Sequence, residues 1–191
     1  MAILETQSLT KAFGALTAVN GVSLAVEAGT LHSIIGPNGA GKTTLFNLLT
    51  GTFLPSAGRI LYDGRDITGT PASRVAHLGL ARSYQRTSVF PAFSLYDNVW
   101  TAAFATGASW GGLLWRPADR YPEVDERARR ALADVGLAER GGQLAREISH
   151  GEQRQLELAI ALAAAPRVLL LDEPAAGLSP EETRRMVALV R

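Results

Sequence analysis

The chain has 191 residues, 47% of them hydrophobic, which is enough for one domain with a substantial core. Its 19 Lys and Arg residues nearly balance 18 Asp and Glu residues, and the net charge of +1 argues against a nucleic-acid partner. The absence of cysteine excludes a disulfide framework and a cysteine-ligated metal site, and it is compatible with a reducing cytoplasm.

Short β-branched runs alternate with helical patterns along the chain, which is typical of an α/β fold. The predicted strands are residues 3–9, 22–26, 31–35, 59–62, 80–84 and 168–171. The predicted helices are residues 41–49, 95–104, 122–135, 151–164 and 180–190. The last predicted strand is wholly apolar, as expected of a strand that is buried on both faces.

Strand patterns are missing between about residues 90 and 165, where helical patterns take over. We therefore predict a single domain over residues 1–191, with a core formed by 1–89 and 166–191 and an inserted helical subdomain formed by 90–165. The start of the chain lacks a signal-peptide pattern, and its longest apolar run, residues 158–165, is far shorter than a membrane-spanning helix of roughly 20 residues. We expect a soluble chain, and docking on a membrane protein stays open.

A glycine-rich segment before the first predicted helix fits the pattern G-x-x-x-x-G-K-[ST]. It consists of Gly36, Pro37, Asn38, Gly39, Ala40, Gly41, Lys42 and Thr43. Its glycines let successive backbone N–H groups converge on phosphate oxygens, and the helix start adds a favourable dipole. Lys42, one of only two lysines in the chain, supplies a compact charge that reaches between two phosphates, and the Thr43 hydroxyl is a candidate Mg²⁺ ligand. The alternative interpretation is a plain glycine-rich turn.

Two acidic residues follow the apolar run of residues 168–171. At the carboxyl end of a buried strand, Asp172 is placed to hold Mg²⁺ through water, and Glu173 is placed to activate an attacking water as a general base. The alternative is a pair of acids that only end a strand.

The segment "EISHGEQRQLELAIALA" predicts a helix that begins with a capping box, in which Ser149 is the N-cap and Glu152 lies three residues further on. Together with "KAFGALTAVNGVSL", "IIGPNGAGKTTLFNLLTG", "GLARSYQ" and "LLLDEPAAGLSP", it resembles the nucleotide-binding subunit of an ATP-binding cassette (ABC) transporter. Within that family the chain is similar to the branched-chain amino acid uptake branch, along its whole length. The resemblance implies an α/β fold of the ABC-ATPase type: a P-loop NTPase core with a mixed sheet, an inserted helical subdomain and the last strands missing.

The resemblance also implies roles for individual residues. Phe13 is expected to stack on adenine. The segment from Asn38 through Thr44 is expected to wrap the phosphates, with Lys42 as a catalytic cation. Glu173 is expected to act as the base. Gln85 is expected to contact Mg²⁺ and the attacking water. Across a dimer, the residues at the start of the helix predicted after Ser149, which carries the family's signature motif, are expected to bind the γ-phosphate of ATP held by a second protomer: Ser149, His150, Gly151 and Glu152.

This sequence departs from the family pattern at several positions. His150 replaces a glycine, Glu152 replaces a glutamine and Ser179 replaces an aspartate. Because a carboxylate beside triphosphate is repelled, we expect Glu152 to turn back and cap Ser149. The family's switch histidine has no counterpart among His32, His77 and His150, which predicts a C-terminally truncated chain that binds ATP better than it hydrolyses it.

The implied partners are a second nucleotide-binding subunit, in a homodimer or a heterodimer, multi-span membrane permease subunits and, indirectly, a periplasmic or extracellular substrate-binding protein. We expect residues 86–99 to form the docking groove for the permease, which would place the chain at the cytoplasmic face of the inner membrane. The transported substrate is a branched-chain amino acid by resemblance, with urea or short amides left open. Two alternatives are a soluble ABC ATPase acting on nucleic acid or the ribosome, and a P-loop kinase for a small acceptor.

Overall fold

The computed structural model describes residues 2–83, 89–107, 121–172, 183–184 and 187–188. The chain divides into two compact units, Met1–Leu80 and Ala81–Arg191. The predicted division into a core and an inserted helical subdomain stays a prediction. Across the described ranges, no helix has both the length and the apolar character that a bilayer crossing requires.

The first unit is built on an antiparallel four-stranded sheet with the strand order β2-β1-β3-β4. Its strands are β1 (Ala2–Phe13), β2 (Leu16–Glu27), β3 (Ala57–Tyr62) and β4 (Arg65–Asp66). Both β1 and β2 are longer than predicted, because the two-residue turn at Gly14 and Ala15 pairs them up to Phe13 and Leu16. Two helices complete the unit, α1 (Lys42–Leu49) and α2 (Ala72–His77).

Residues of β1 and β3 supply much of the core of the first unit, and a register shift in β1 between Thr6 and Leu9 breaks the simple alternation of a strand. Leu4, Leu9 and Ile60 are almost completely buried, and so are Leu48 and Leu49 on one side of α1. Burial of each such side chain contributes about 1.5–3 kcal/mol, so the sheet and α1 together fix the position of the glycine-rich segment.

The predicted strand at residues 31–35 is wrong. Residues 30–37 form neither helix nor strand, and Ile35 is 93% exposed. An apolar run becomes a strand only when a neighbouring strand takes up its backbone N–H and C=O groups, and no described strand pairs with this segment. The pattern therefore identified the apolar composition but not the pairing.

Two short elements of the first unit were not predicted. Asp63 and Gly64, both with positive φ, form the tight turn that joins β3 to β4. An Asp-Gly pair between strand-like runs is a hairpin signal, so the sequence did contain this information. Helix α2 begins after Pro71, whose fixed φ suits a helix start.

The second unit is mainly helical, with α3 (Leu95–Gly107), α4 (Pro122–Asp134) and α5 (His150–Ala163). Their apolar faces form one buried cluster, which contains Leu95, Val99, Val124, Ala128, Leu132 and Leu156. The pairing of β5 (Leu80–Ser83) with β6 (Val168–Leu171) gives a two-stranded sheet. All four residues of β6 are only half-buried, so the prediction of burial on both faces is wrong for this strand. Most of the predicted helix at residues 180–190 lies outside the described residues.

Candidate nucleotide site

The glycine-rich segment ends at α1, and its geometry requires glycine. Gly39 and Gly41 have φ values of 82° and 84°, in the left-handed region that favours glycine. A Cβ atom on Gly41 would lie 2.1 Å from the backbone oxygen of Ala18 in β2. The segment therefore passes against the sheet so closely that only a hydrogen fits at position 41.

Helix α1 begins without a side-chain cap. Its N-cap is Gly41, no side chain bonds to its first amides, and its first turn carries no acidic residue. The first N–H groups of a helix have no intrahelical partner, and the helix dipole favours an anion there. The start of α1 is therefore suited to bind phosphate.

Lys42 folds over the loop that precedes it. Its Nζ atom donates hydrogen bonds to the backbone oxygens of Gly36, at 2.6 Å, and Pro37, at 2.9 Å. Ala40 N donates to the same Pro37 oxygen, which tightens the loop. Among the described residues, the ammonium thus has only neutral acceptors, and an anionic phosphate would outcompete them because it adds a second charge to the hydrogen bond.

Three other predicted phosphate-binding residues lie in this loop or on the first turn of α1. Asn38 and Thr43 are exposed, and Thr44 is half-buried on the first turn of α1. Within the ranges that the structure describes, no residue exchanges a hydrogen bond with the Thr43 hydroxyl. This hydroxyl is therefore available to a ligand.

The ring of Phe13 lies at the end of β1 and is 45% exposed. It packs edge-on against Phe53 at 5.6 Å, and Lys11 Nζ lies 5.0 Å from its centroid. Lys11 is held in place because it also donates to the backbone oxygen of Leu54, at 2.7 Å. Phe13 pairs with Leu16, two residues before the Ala18 carbonyl that contacts the phosphate loop. An exposed, supported ring in this part of β1 and β2 suits the predicted stacking on a base.

Asp172 directly follows β6 and is buried. Its Oδ2 accepts a hydrogen bond at 2.8 Å from Nη2 of Arg82, in the strand β5 that pairs with β6. Sequence reasoning missed Arg82, because no local pattern links residues that are so far apart in the chain. The predicted catalytic residues Gln85 and Glu173 lie outside the described residues.

The oxygen donors predicted for Mg²⁺ fit such an ion chemically. Magnesium prefers hard oxygen ligands, and it usually keeps several waters beside one or two carboxylates. In the first unit the Thr43 hydroxyl is free of described partners, and in the second unit only Arg82 among the described residues bonds to the Asp172 carboxylate. Both groups are of the kind that the ion takes.

The predicted capping box at the start of α5 is confirmed. The backbone N–H and the hydroxyl of Ser149 both donate to Glu152 Oε2 at 2.9 Å, and Glu152 N donates to Ser149 Oγ at 3.4 Å. His150 is exposed and Gly151 is buried. The carboxylate at position 152 therefore satisfies the helix start itself.

Arg140 pairs with the second carboxylate oxygen of Glu152, Oε1. Its guanidinium also donates to Gln143 Oε1 at 2.6 Å, which fixes its orientation. The pair is only partly buried, so its net energy is small, but it offsets the negative charge that the sequence places at the signature. Sequence reasoning identified the excess charge at Glu152 and missed the arginine that balances it.

The chain is similar in sequence to transport proteins that bind ATP. A family model described as ABC transporter matches residues 19–176. The chain is 43% identical to the high-affinity branched-chain amino acid transport ATP-binding protein BraF of Pseudomonas aeruginosa, over 98% of the chain and 75% of BraF. It is 38% identical to LivG of Escherichia coli, which carries the same description, over the same shares of the two chains.

Solved structures that resemble the chain are also ATP-binding cassettes of ABC transporters. A nucleotide-free ATP-binding cassette from an ABC transporter superposes with a TM-score of 0.86 and 30% identity, and it covers 100% of this chain and 76% of its own. A cassette in its ADP conformation gives a TM-score of 0.87 and 31% identity over the same shares. The chain therefore belongs to the ABC transporter family, and its fold is that of the family's ATP-binding cassette. The predicted fold class and the predicted ABC-type ATPase are thus confirmed.

Proposed function

We propose that the chain is the ATP-binding subunit of an importer for branched-chain amino acids, and that it works with multi-span permease subunits at the cytoplasmic face of the inner membrane. The observation that carries this proposal is the uncapped start of α1, where Lys42 is held at a loop of backbone carbonyls. The similarity to BraF and LivG supports the class of substrate. Both relatives are described as transport proteins, which favours this function over a nucleic-acid ATPase or a small-molecule kinase.

Lys42 has the central part in binding. When ATP enters, its ammonium exchanges the carbonyl oxygens of Gly36 and Pro37 for phosphate oxygens, while the first amides of α1 bind the same phosphates. Phe13 stacks on the adenine. Thr43, Gln85 and Asp172 would hold Mg²⁺, which would neutralise charge on the phosphates when bound. Glu173 would accept the proton of the attacking water.

A second nucleotide-binding subunit completes the site. Ser149, His150, Gly151 and Glu152 of one protomer face the γ-phosphate of ATP held by the other, in a homodimer or a heterodimer. Because ATP binds the closed pair more tightly than the open one, ATP binding drives closure and hydrolysis permits opening. A periplasmic or extracellular binding protein delivers the substrate to the permease.

Residues 89–99, the described part of the predicted groove, support the docking of a permease segment. Phe90 and Phe93 are 53% and 45% exposed, with ring centroids 5.1 Å apart, whereas Leu95 and Val99 belong to the core. Asn98 is buried and bonds to both backbone groups of Phe90, which holds the exposed rings in place.

The groove beside these rings has a volume of about 690 Å³ and is both aromatic and acidic. Its lining includes Phe93, Trp100 and Tyr121 as well as Asp97 and Asp125. Hydrogen bonds from Arg129 and Tyr96 lower the pKa of Asp125, and the ion pair with Arg129 offsets part of the charge of this carboxylate. A cytoplasmic permease helix with apolar and basic side chains suits such a surface.

Uptake of labelled leucine by cells that express the complete protein with candidate permeases tests the proposal. We expect uptake to be lost in Lys42→Ala and kept in Arg130→Ala, which removes an exposed surface cation of α4.

A second experiment tests the docking surface. Phe93→Asp should abolish co-purification with the permease and leave ATP binding intact. Leu78→Asp, which changes an exposed apolar residue of the other unit, should change neither. Uptake that survives Lys42→Ala, or co-purification that survives Phe93→Asp, would count against the respective part of the proposal.

A further inference from the structure

A buried ion pair ties the end of β6 to β5 within the second unit. Arg82 Nη2 lies 2.8 Å from Asp172 Oδ2, and both side chains are only 4% exposed. Arg82 is in β5 and Asp172 immediately follows β6, so the pair bridges two strands that are also joined in one sheet. The contact connects the proposed metal-binding carboxylate to a side chain with no assigned role.

Because this ion pair is buried, the loss of either side chain affects the other strongly. Burial of two charges is tolerated only when each has the other as a well-placed partner, and removal of one leaves the other uncompensated. The arginine guanidinium is planar and always charged, so it fixes both the position and the orientation of the carboxylate that it contacts. Without Arg82, the Asp172 carboxylate would be a buried charge without its described partner, and it would turn or withdraw to reach water.

We propose that Arg82 is a positioning residue for metal-dependent nucleotide binding. It holds Asp172 through Oδ2 at the end of β6, which leaves Oδ1, to which no described residue donates a hydrogen bond, for Mg²⁺ or its bound water. This inference rests on the proposed role of Asp172 and adds a second residue to that role. Hydrogen-bond partners of ligating carboxylates orient the ligand, and their loss typically lowers metal affinity by about 10- to 100-fold.

The test compares ATP affinity in excess EDTA with ATP affinity in Mg²⁺, by displacement of a fluorescent ATP analogue from the complete protein. The affinity in Mg²⁺ divided by the affinity in EDTA isolates the contribution of the metal. We expect Arg82→Met to lower this ratio about tenfold or more, toward the ratio of Asp172→Asn, while the affinity in EDTA changes less than about twofold. Arg82→Lys, which keeps the charge but not the planar group, should give an intermediate ratio.

The double variant separates positioning from general destabilisation. If Arg82 acts through Asp172, adding Arg82→Met to Asp172→Asn should change the ratio no further. A wild-type ratio in both Arg82 variants, an equal loss of affinity with and without Mg²⁺, or a further drop in the double variant would each overturn the inference. Should Arg82→Met fail to fold, Arg82→Lys decides alone, and a wild-type ratio then refutes the proposal.

Failure of the proposed function gives a different result. If the chain lacks the proposed nucleotide site, the wild-type protein binds no ATP, in EDTA or in Mg²⁺, and Lys42→Ala has no effect; if it binds ATP but is no importer subunit, the uptake test fails while the effect of Arg82→Met on ATP binding persists. A wild-type protein with Mg²⁺-dependent binding that Arg82→Met leaves unchanged would refute the role of Arg82 alone.

Discussion

Two helices of this chain begin at residues assigned to ATP phosphates, and they begin in opposite ways. Helix α1 starts from Gly41 in the left-handed conformation, with no side-chain cap and no acid in its first turn. Helix α5 starts from Ser149 in the extended conformation, with a complete capping box formed by Glu152. The first leaves its amides to a ligand, whereas the second satisfies its own helix start.

Because of this difference, the start of α5 contributes to the stability of the fold, whereas the start of α1 contributes to the affinity for ATP. A helix start that satisfies itself stabilises the fold whether or not nucleotide is present, and the capping hydrogen bonds compete with any incoming phosphate. A helix start without a cap adds little to the fold alone and can bind an anion at once. We therefore expect α1 to set the affinity for ATP, and α5 to join the site only when a second subunit closes.

The largest expected effect concerns the close approach at the start of α1. In Gly41→Ala the new Cβ would lie 2.1 Å from the Ala18 oxygen, in addition to the cost of a left-handed conformation, so the free energy of unfolding should fall by about 3 kcal/mol. Gly39→Ala is the matched control, since Gly39 has nearly the same φ but no neighbouring atom within 4 Å, and its loss should be about 1 kcal/mol. Urea denaturation measures both. Equal losses would show that the contact with β2 is relaxed in solution.

The next effect is on nucleotide affinity. Lys42→Ala removes the ammonium that exchanges its bonds to Gly36 and Pro37 for phosphate oxygens, and it should weaken ATP binding about 100-fold. Lys42→Arg keeps the charge but needs more room than the loop leaves, so we expect most of the same loss. Equilibrium titration with a fluorescent ATP analogue measures the affinity, with Arg130→Ala as the control. Binding within about twofold of wild type in Lys42→Ala would move the phosphate site elsewhere.

A third prediction compares one hydroxyl at each helix start. Ser149→Ala removes the N-cap of α5 and should lower the free energy of unfolding by about 1 kcal/mol in the absence of nucleotide. Thr43→Ala removes an exposed hydroxyl with no described partner from α1 and should change it by less than about 0.5 kcal/mol. Thermal or urea denaturation checks both variants. If Thr43→Ala is the more damaging of the two, the hydroxyl of α1 serves the fold and the contrast between the helices fails.

Local signals predicted these helix starts, and non-local contacts explain what the sequence did not reveal. The spacing of Ser149 and Glu152 predicted a capping box because both partners lie within one turn. The run at residues 31–35 was misread, because strand formation depends on a neighbour that composition does not specify. The contacts that Arg82 and Arg140 make to Asp172 and Glu152 span 90 and 12 residues of sequence, both beyond one helical turn, and arginine is common throughout this sequence. No pattern in a single sequence distinguishes these two arginines from the others.

The smallest expected effect concerns the charge at the start of α5. Arg140→Met leaves the Glu152 carboxylate without the arginine that offsets it. If, as we propose, this carboxylate faces the triphosphate held by a second protomer, the change should weaken ATP-driven dimerisation about two- to threefold. Glu152→Gln removes the charge and should strengthen dimerisation by a similar factor. Sedimentation of the complete protein in a Glu173→Gln background, where ATP persists, measures both.

The double variant decides whether the two residues act as a pair. Because Arg140 matters only while Glu152 is charged, Arg140→Met should have no effect once Glu152 is replaced by glutamine. Repeating the sedimentation at high salt should shrink the effect of each single variant, since a partly exposed pair is screened. If Glu152→Gln leaves dimerisation unchanged at low salt, the charge of this carboxylate does not affect the binding of ATP, and the capping box of α5 stabilises only the fold.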